Sequence, residues 1–122
     1  MDRWQALYSF WAAYGYPTYE ENSVPDLDDL TFPYLTYEAR VAPFNGDVTA
    51  NASVWTRNIS WNEADGISDA IEESLKHGGL VQRYDGGIIW VTADENNFAQ
   101  GMGDPTDDLI KRKLLSITYH FN

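Results

Sequence analysis

The order of hydropathy periods along the chain predicts an α+β fold: an antiparallel β-sheet, built from two hairpins and a long C-terminal strand, packed by two α-helices. Three observations carry this. Two segments space their apolar residues as helices do, others alternate with a period of two, and Asn-Gly or Gly-Gly turns separate neighbouring alternating runs. The 122 residues fit one domain, 1–122, of the size a single core supports. No internal repeat and no linker divides them.

The first helix is expected from about Asp2 to Tyr14. Trp4, Leu7, Tyr8 and Trp11 recur at i, i+3, i+4 and i+7, which reads as one buried stripe. Asp2 suits the positive end of the helix dipole, and Gly15 before Tyr16-Pro17 supplies the stop. An acidic connector from Tyr19 to Pro33 reads as an exposed loop with room for a short extended piece. From Tyr34 the period becomes two. Leu35, Tyr37, Ala39 and Val41 share one face, and Thr36, Glu38 and Arg40 the other. Pro43 and Asn45-Gly46-Asp47 break this strand. In the next run, Val48 to Arg57, Val48, Ala50, Ala52 and Val54 face inward, while Thr49, Asn51, Ser53 and Trp55 face outward.

Ser60 reads as an N-cap, with Glu63 at capping-box spacing. Ala64, Ile67, Ile71 and Leu75 then mark a helix face that ends at His77-Gly78-Gly79. Leu80 to Tyr84 and Ile88 to Thr92 flank Asp85-Gly86-Gly87 as a second hairpin. The polar stretch Asp94 to Asp108 reads as a long loop, with Phe98 and Met102 its large apolar side chains. A strand from Leu109 to Phe121 closes the fold, with Leu115, Ile117, Tyr119 and Phe121 on one face.

Composition narrows the function. A 43% hydrophobic fraction excludes a fully disordered chain. No cysteine is present, so there is no disulfide, thiolate metal site or cysteine nucleophile. The longest apolar runs fall far short of a membrane span, and no signal peptide is recognised, so a soluble protein of a reducing compartment is expected. Eight Lys and Arg against nineteen Asp and Glu give a net charge of −11. Tight nucleic-acid binding needs clustered cations. Lys111-Arg112-Lys113 is the one cluster, and Asp104, Asp107 and Asp108 precede it.

No set of residues demands catalysis. His77 and His120 lack a partner at metal-ligand spacing and read as surface histidines. The groups Asp26/Asp28/Asp29 and Asp104/Asp107/Asp108 do not fit a calcium loop, so no metal and no cofactor is expected. The glycines at 78–79 and 86–87 form no phosphate-binding motif. Paired carboxylates and exposed aromatic rings leave one alternative of another class, a small acidic hydrolase or carbohydrate-binding module.

A resemblance covers nearly the whole chain. It runs through Tyr14-Gly15-Tyr16-Pro17-Thr18-Tyr19, Glu21-Asn22-Ser23-Val24-Pro25-Asp26 and Phe32-Pro33-Tyr34-Leu35-Thr36-Tyr37. It continues through Asp85-Gly86-Gly87-Ile88-Ile89-Trp90-Val91, Phe98-Ala99-Gln100 and Asp104-Pro105-Thr106-Asp107-Asp108 into Ile110-Lys111-Arg112. In this order the segments resemble the tail terminator, or tail completion, proteins of long-tailed bacteriophages.

The resemblance implies a non-enzymatic α+β subunit of a homo-hexameric ring at the head-proximal end of the tail tube. The ring stops tube polymerisation and joins the head's connector, and DNA passes through without specific binding. The location implied is the virion, with the host cytoplasm before assembly and no membrane. Another head–tail joining or tube component shares the same architecture and stays open. Phe98, Met102, Trp55 and Arg112 are the expected ring or tube contacts, although Phe98 and Met102 also suit packing within their own subunit. Asp26, Asp28, Asp29, Asp104, Asp107 and Asp108 are expected to line the hole, with ordinary solubility as the competing explanation of the acidity.

Overall fold

A computed structural model describes residues 1–42, 46–94 and 98–122. Pro43 and Asn45 of the expected turn, and part of the expected Asp94–Asp108 loop, lie outside the described residues. Two helices pack on a mixed sheet of seven strands, an α+β fold. Helix α1 spans Arg3–Ala12 and α2 spans Asn62–Leu75. The strands are β1 (Thr18–Glu20), β2 (Tyr34–Tyr37), β3 (Asp47–Arg57), β4 (Leu80–Tyr84), β5 (Gly87–Ala93), β6 (Ala99–Gly103) and β7 (Ile110–Phe121). Their order is β1-β2-β3-β7-β5-β4, with β6 also paired to β7. Helix α1 touches both β1 and β4, the first and last strands of that order, so the sheet curls around it.

The expectation of a purely antiparallel sheet is corrected: β1 runs parallel to β2, Thr18 opposite Leu35. Three residues so short carry no period of their own; they form a strand because Tyr34–Tyr37 offers a partner. Strand β7 organises the rest. Its whole length pairs with β3, its second half with β5 and its first half with β6. Strand β6 corrects the expected loop. It lacks β-branched residues and contains two glycines, and β7's backbone supplies what its propensity does not. Gly101 belongs there, because a Cβ would meet the Trp61 ring at 3.3 Å.

The start of α1 falls where expected, and that of α2 does not. Asp2 caps α1 in full: its side chain accepts from Gln5 N at 2.8 Å, while Gln5 Oε1 accepts from Asp2 N at 2.9 Å. The Ser60/Glu63 capping box is not formed. The N-cap position of α2 is Trp61, and Ser60 Oγ instead accepts from Asn62 N at 3.1 Å. Gly78 and Gly79 end that helix at φ +88° and +78°, the left-handed conformation that favours glycine.

The core collects Leu7, Phe10, Trp11, Leu35, Val54, Ile71, Ile89, Val91, Leu115, Ile117, Tyr119 and Phe121. Trp11 Nε1 donates to the Tyr119 hydroxyl at 3.0 Å, and that hydroxyl donates to the Glu38 carbonyl at 3.2 Å. The stripe read for α1 is corrected. Ala6, Leu7, Phe10 and Trp11 are buried, whereas Trp4 and Tyr8 are 53% and 49% exposed. Strand β2 also departs from half-burial: it stops at Tyr37, and all four of its residues are buried. Tyr34 and Thr36 are covered on the outer face by aromatic rings. No helix is long and apolar enough to cross a membrane among the described residues.

Candidate assembly surface at one end of the sheet

Register sets this surface. Tyr34, Trp55 and Arg112 stand opposite one another on β2, β3 and β7, so their side chains share the face turned away from the helices. The Tyr34 and Trp55 rings stack with centroids 5.9 Å apart and planes within 5°. Phe32 meets Tyr34 edge-on at 5.2 Å, and Tyr19 does so at 6.0 Å. The Arg112 guanidinium lies 4.8 Å over the Trp55 ring, and its Nε donates to Ser53 Oγ at 2.9 Å. Trp55 Nε1 donates to Thr36 Oγ1 at 2.9 Å, which explains how polar Ser53 and Thr36 tolerate burial here. Burial also raises the Tyr34 hydroxyl's pKa, the largest influence on it.

Strand β6 brings Met102 opposite Arg112. Trp55, Met102, Asp104 and Arg112 therefore line one depression of about 280 Å³, together with Pro105 and Ile110. Four residues singled out from the sequence meet here. Phe98 does not join them. It is 7% exposed and belongs to the chain's own core, so of the two placements expected for it, a neighbour's surface or its own subunit, it takes the second.

The aspartates follow from the same topology. Strands β2 and β7 both begin where β3 ends, so the loops that feed them emerge at one end of the sheet. One carries Asp26, Asp28 and Asp29, all exposed, around the 3-10 turn Leu27–Asp29. The other carries Asp104, Asp107 and Asp108. Asp104 Oδ1 accepts from Thr106 N and Oγ1 and from Asp107 N, the first two at 2.8 Å. The backbone bond from Thr106, then its hydroxyl, hold the Asp104 carboxyl below the usual carboxylate range. Asp107 accepts from Leu109 N at 2.9 Å and pairs with Arg57 at 3.3 Å, so it shapes its loop as well as charging it. Asp108 is exposed, and its carbonyl accepts from Lys111 Nζ.

The cationic run disperses because successive residues of a strand point to opposite faces. Lys111 is buried near the Trp61 ring, Arg112 covers Trp55, and Lys113 pairs with Asp65 at 2.9 Å. No basic patch forms from them.

Sequence reading missed two groups. His120 is not a free surface histidine: Nδ1 meets Asp47 Oδ1 at 2.8 Å, Nε2 meets Thr92 Oγ1 at 2.9 Å, and Trp90 packs on its ring at 4.5 Å. These partners come from β3 and β5, on either side of β7, and no local spacing announces them. His77 is exposed beside Glu73. The second group is the pair of rings on the outside of α1, Trp4 and Tyr8. Among the described residues, no three His, Cys, Asp or Glu side chains group so as to hold a metal ion. No protein-family model matches the chain, and no curated protein or solved structure matches it either.

Proposed function

We propose that the chain is a structural subunit of a phage tail terminator ring, which caps the head-proximal end of the tail tube and offers a joining surface to the head. The observation that carries the reading is the gathering of two aspartate-bearing loops at one end of the sheet, next to an aromatic and guanidinium surface. A ring needs an adhesive surface on each subunit, and heterologous contacts close it. Trp55 and Arg112 are of residue types that dominate such contacts, and methionine is enriched in them. A passage for DNA needs walls that do not hold phosphates, and like charge provides them. In this reading Asp26, Asp28, Asp29, Asp104, Asp107 and Asp108 face the hole, and hexamers form around it without cofactor or metal. The ordered resemblance to tail terminators gives the role at the tube end.

The test is assembly in the absence of the chain. Virions made without it are expected to carry tails of abnormal length, or tails that fail to join heads. Normal tails on filled heads end the proposal. A second reading, a small acidic hydrolase, draws on the Asp47–His120–Thr92 arrangement beside a cleft of about 530 Å³. It requires ester or glycoside turnover that His120→Ala abolishes; no turnover in the wild-type chain removes it.

A further inference from the structure

A groove opens between α1 and β1. It encloses about 850 Å³ and is lined by Trp4, Tyr8, Tyr37 and Glu20, with Met1 at its margin. Trp4 and Tyr8 stand about half exposed on the helix. Tyr37 and Glu20 are register partners on β2 and β1, so both side chains turn to the helix side of the sheet. Tyr19 alternates away, its ring against Tyr34 on the opposite face.

No lysine, arginine or histidine lines the groove. Met1 does line it, and its amino group is held by Asp85 at 2.6 Å. Glu20 has no cation partner among the described residues. Its two oxygens accept only from Asn22, from the backbone N at 2.9 Å and from Nδ2 at 3.3 Å. A carboxylate offers about four acceptor positions, so capacity for a forked donor remains. Burial, the larger cause, and then the negative charge of Glu20 push the Tyr37 hydroxyl up to about 12, and the second of these favours a cation here.

We propose that this groove binds the guanidinium of an arginine presented by a partner protein. Aromatic faces attract a cation through their quadrupole, and a planar guanidinium both stacks on rings and forks onto a carboxylate. An ammonium is more strongly hydrated and gives up more to enter. The chain's net charge of −11 draws such a partner from a distance. The chemistry holds whether or not the chain forms a ring.

The test uses the full chain and the peptide acetyl-Gly-Arg-Gly-amide, with the citrulline peptide as its neutral, equally shaped control. In nuclear magnetic resonance titrations the arginine peptide is expected to shift the Trp4 indole and Tyr8 ring signals at millimolar concentration. The citrulline peptide, Glu20→Gln and Trp4→Ala are each expected to weaken binding by about three-fold or more, the scale of an exposed cation–π contact or ion pair. Circular dichroism confirms that both variants fold. Equal binding of the citrulline peptide overturns the proposal, as does the absence of any shift at Trp4. Preferential binding of phosphatidylcholine vesicles over the arginine peptide overturns it too, by assigning the groove to a lipid headgroup.

Discussion

Arg112→Ala probes the candidate surface most directly, because the structure shows what the side chain does there. Its guanidinium lies 4.8 Å over Trp55, a partly desolvated cation–π contact worth about 1 kcal/mol. Its Nε supplies the donor to Ser53 Oγ, and Ser53 is 2% exposed, so its loss leaves a buried hydroxyl unmatched at about 1 kcal/mol more. The aliphatic stem that covers the ring adds a fraction of this. The expected total is about 2–3 kcal/mol, large against the ~6–18 kcal/mol stability of a chain this size. The assay is urea unfolding followed by circular dichroism, with the slope unchanged so that the midpoint reports stability. Arg112→Lys is expected to recover about half, because one ammonium cannot both stack on the ring and hold the Nε bond. A loss below about 0.5 kcal/mol for the alanine variant, or full recovery by lysine, refutes the account of this surface.

Tyr119→Phe is expected to cost about 2 kcal/mol in the same assay, since it strips both the Trp11 indole and the Glu38 carbonyl of their partner. At alkaline pH stability is expected to fall between about 10 and about 12. The folded Tyr37 hydroxyl is raised to about 12, mainly by burial, so it holds its proton where the unfolded chain has released it; absorbance at the tyrosinate band during unfolding checks this. Gly79→Ala is expected to destabilise well beyond Gly86→Ala. Both glycines have positive φ, but only at Gly79 does a Cβ meet the Val91 carbonyl and the Trp90 indole; paired thermal melts decide it. Under the ring reading, association measured by sedimentation is expected to strengthen as salt rises toward about 0.5 M, because salt screens the subunits' mutual repulsion. Weakening with salt points instead to ion-paired contacts.

The elements whose own residues announce them were legible: α1 and α2 from apolar spacing, β3 and β7 from alternation. What the sequence hid depends on partners far along the chain. Strand β1 is three residues long and exists through β2. Strand β6 carries Gly101 and Gly103 and exists through β7. Trp4 and Tyr8 share helical spacing with Leu7 and Trp11, yet the helix meets the sheet on a face turned toward Ala6 and Phe10, so the spacing implied one stripe where the structure has another. At the candidate surface, alternation alone places Trp55 outward. Its meeting with Arg112, Met102 and Asp104 required the register of three strands.

The two halves of the candidate surface constrain each other. In the proposed ring, identical subunits that each carry −11 repel, and the repulsion is greatest where the reading brings aspartates of neighbouring copies together. Screening shortens that repulsion to about 10 Å at 0.1 M salt without removing it. Adhesion between copies must therefore come from short-range contacts that add no further negative charge. In the proposed ring the accessible part of this face supplies these: Trp55 and Met102 are neutral, and Arg112 is a cation held in place by Ser53 and Trp55, with buried Tyr34 backing the Trp55 ring. Because the loops bearing the aspartates lead directly into the strands bearing the stack, register fixes the distance between the repelling and the adhering parts. In the proposed ring this placement lets a subunit join its neighbours along one face with its acidic end turned to the passage, and Asp104 stands at the border between the two.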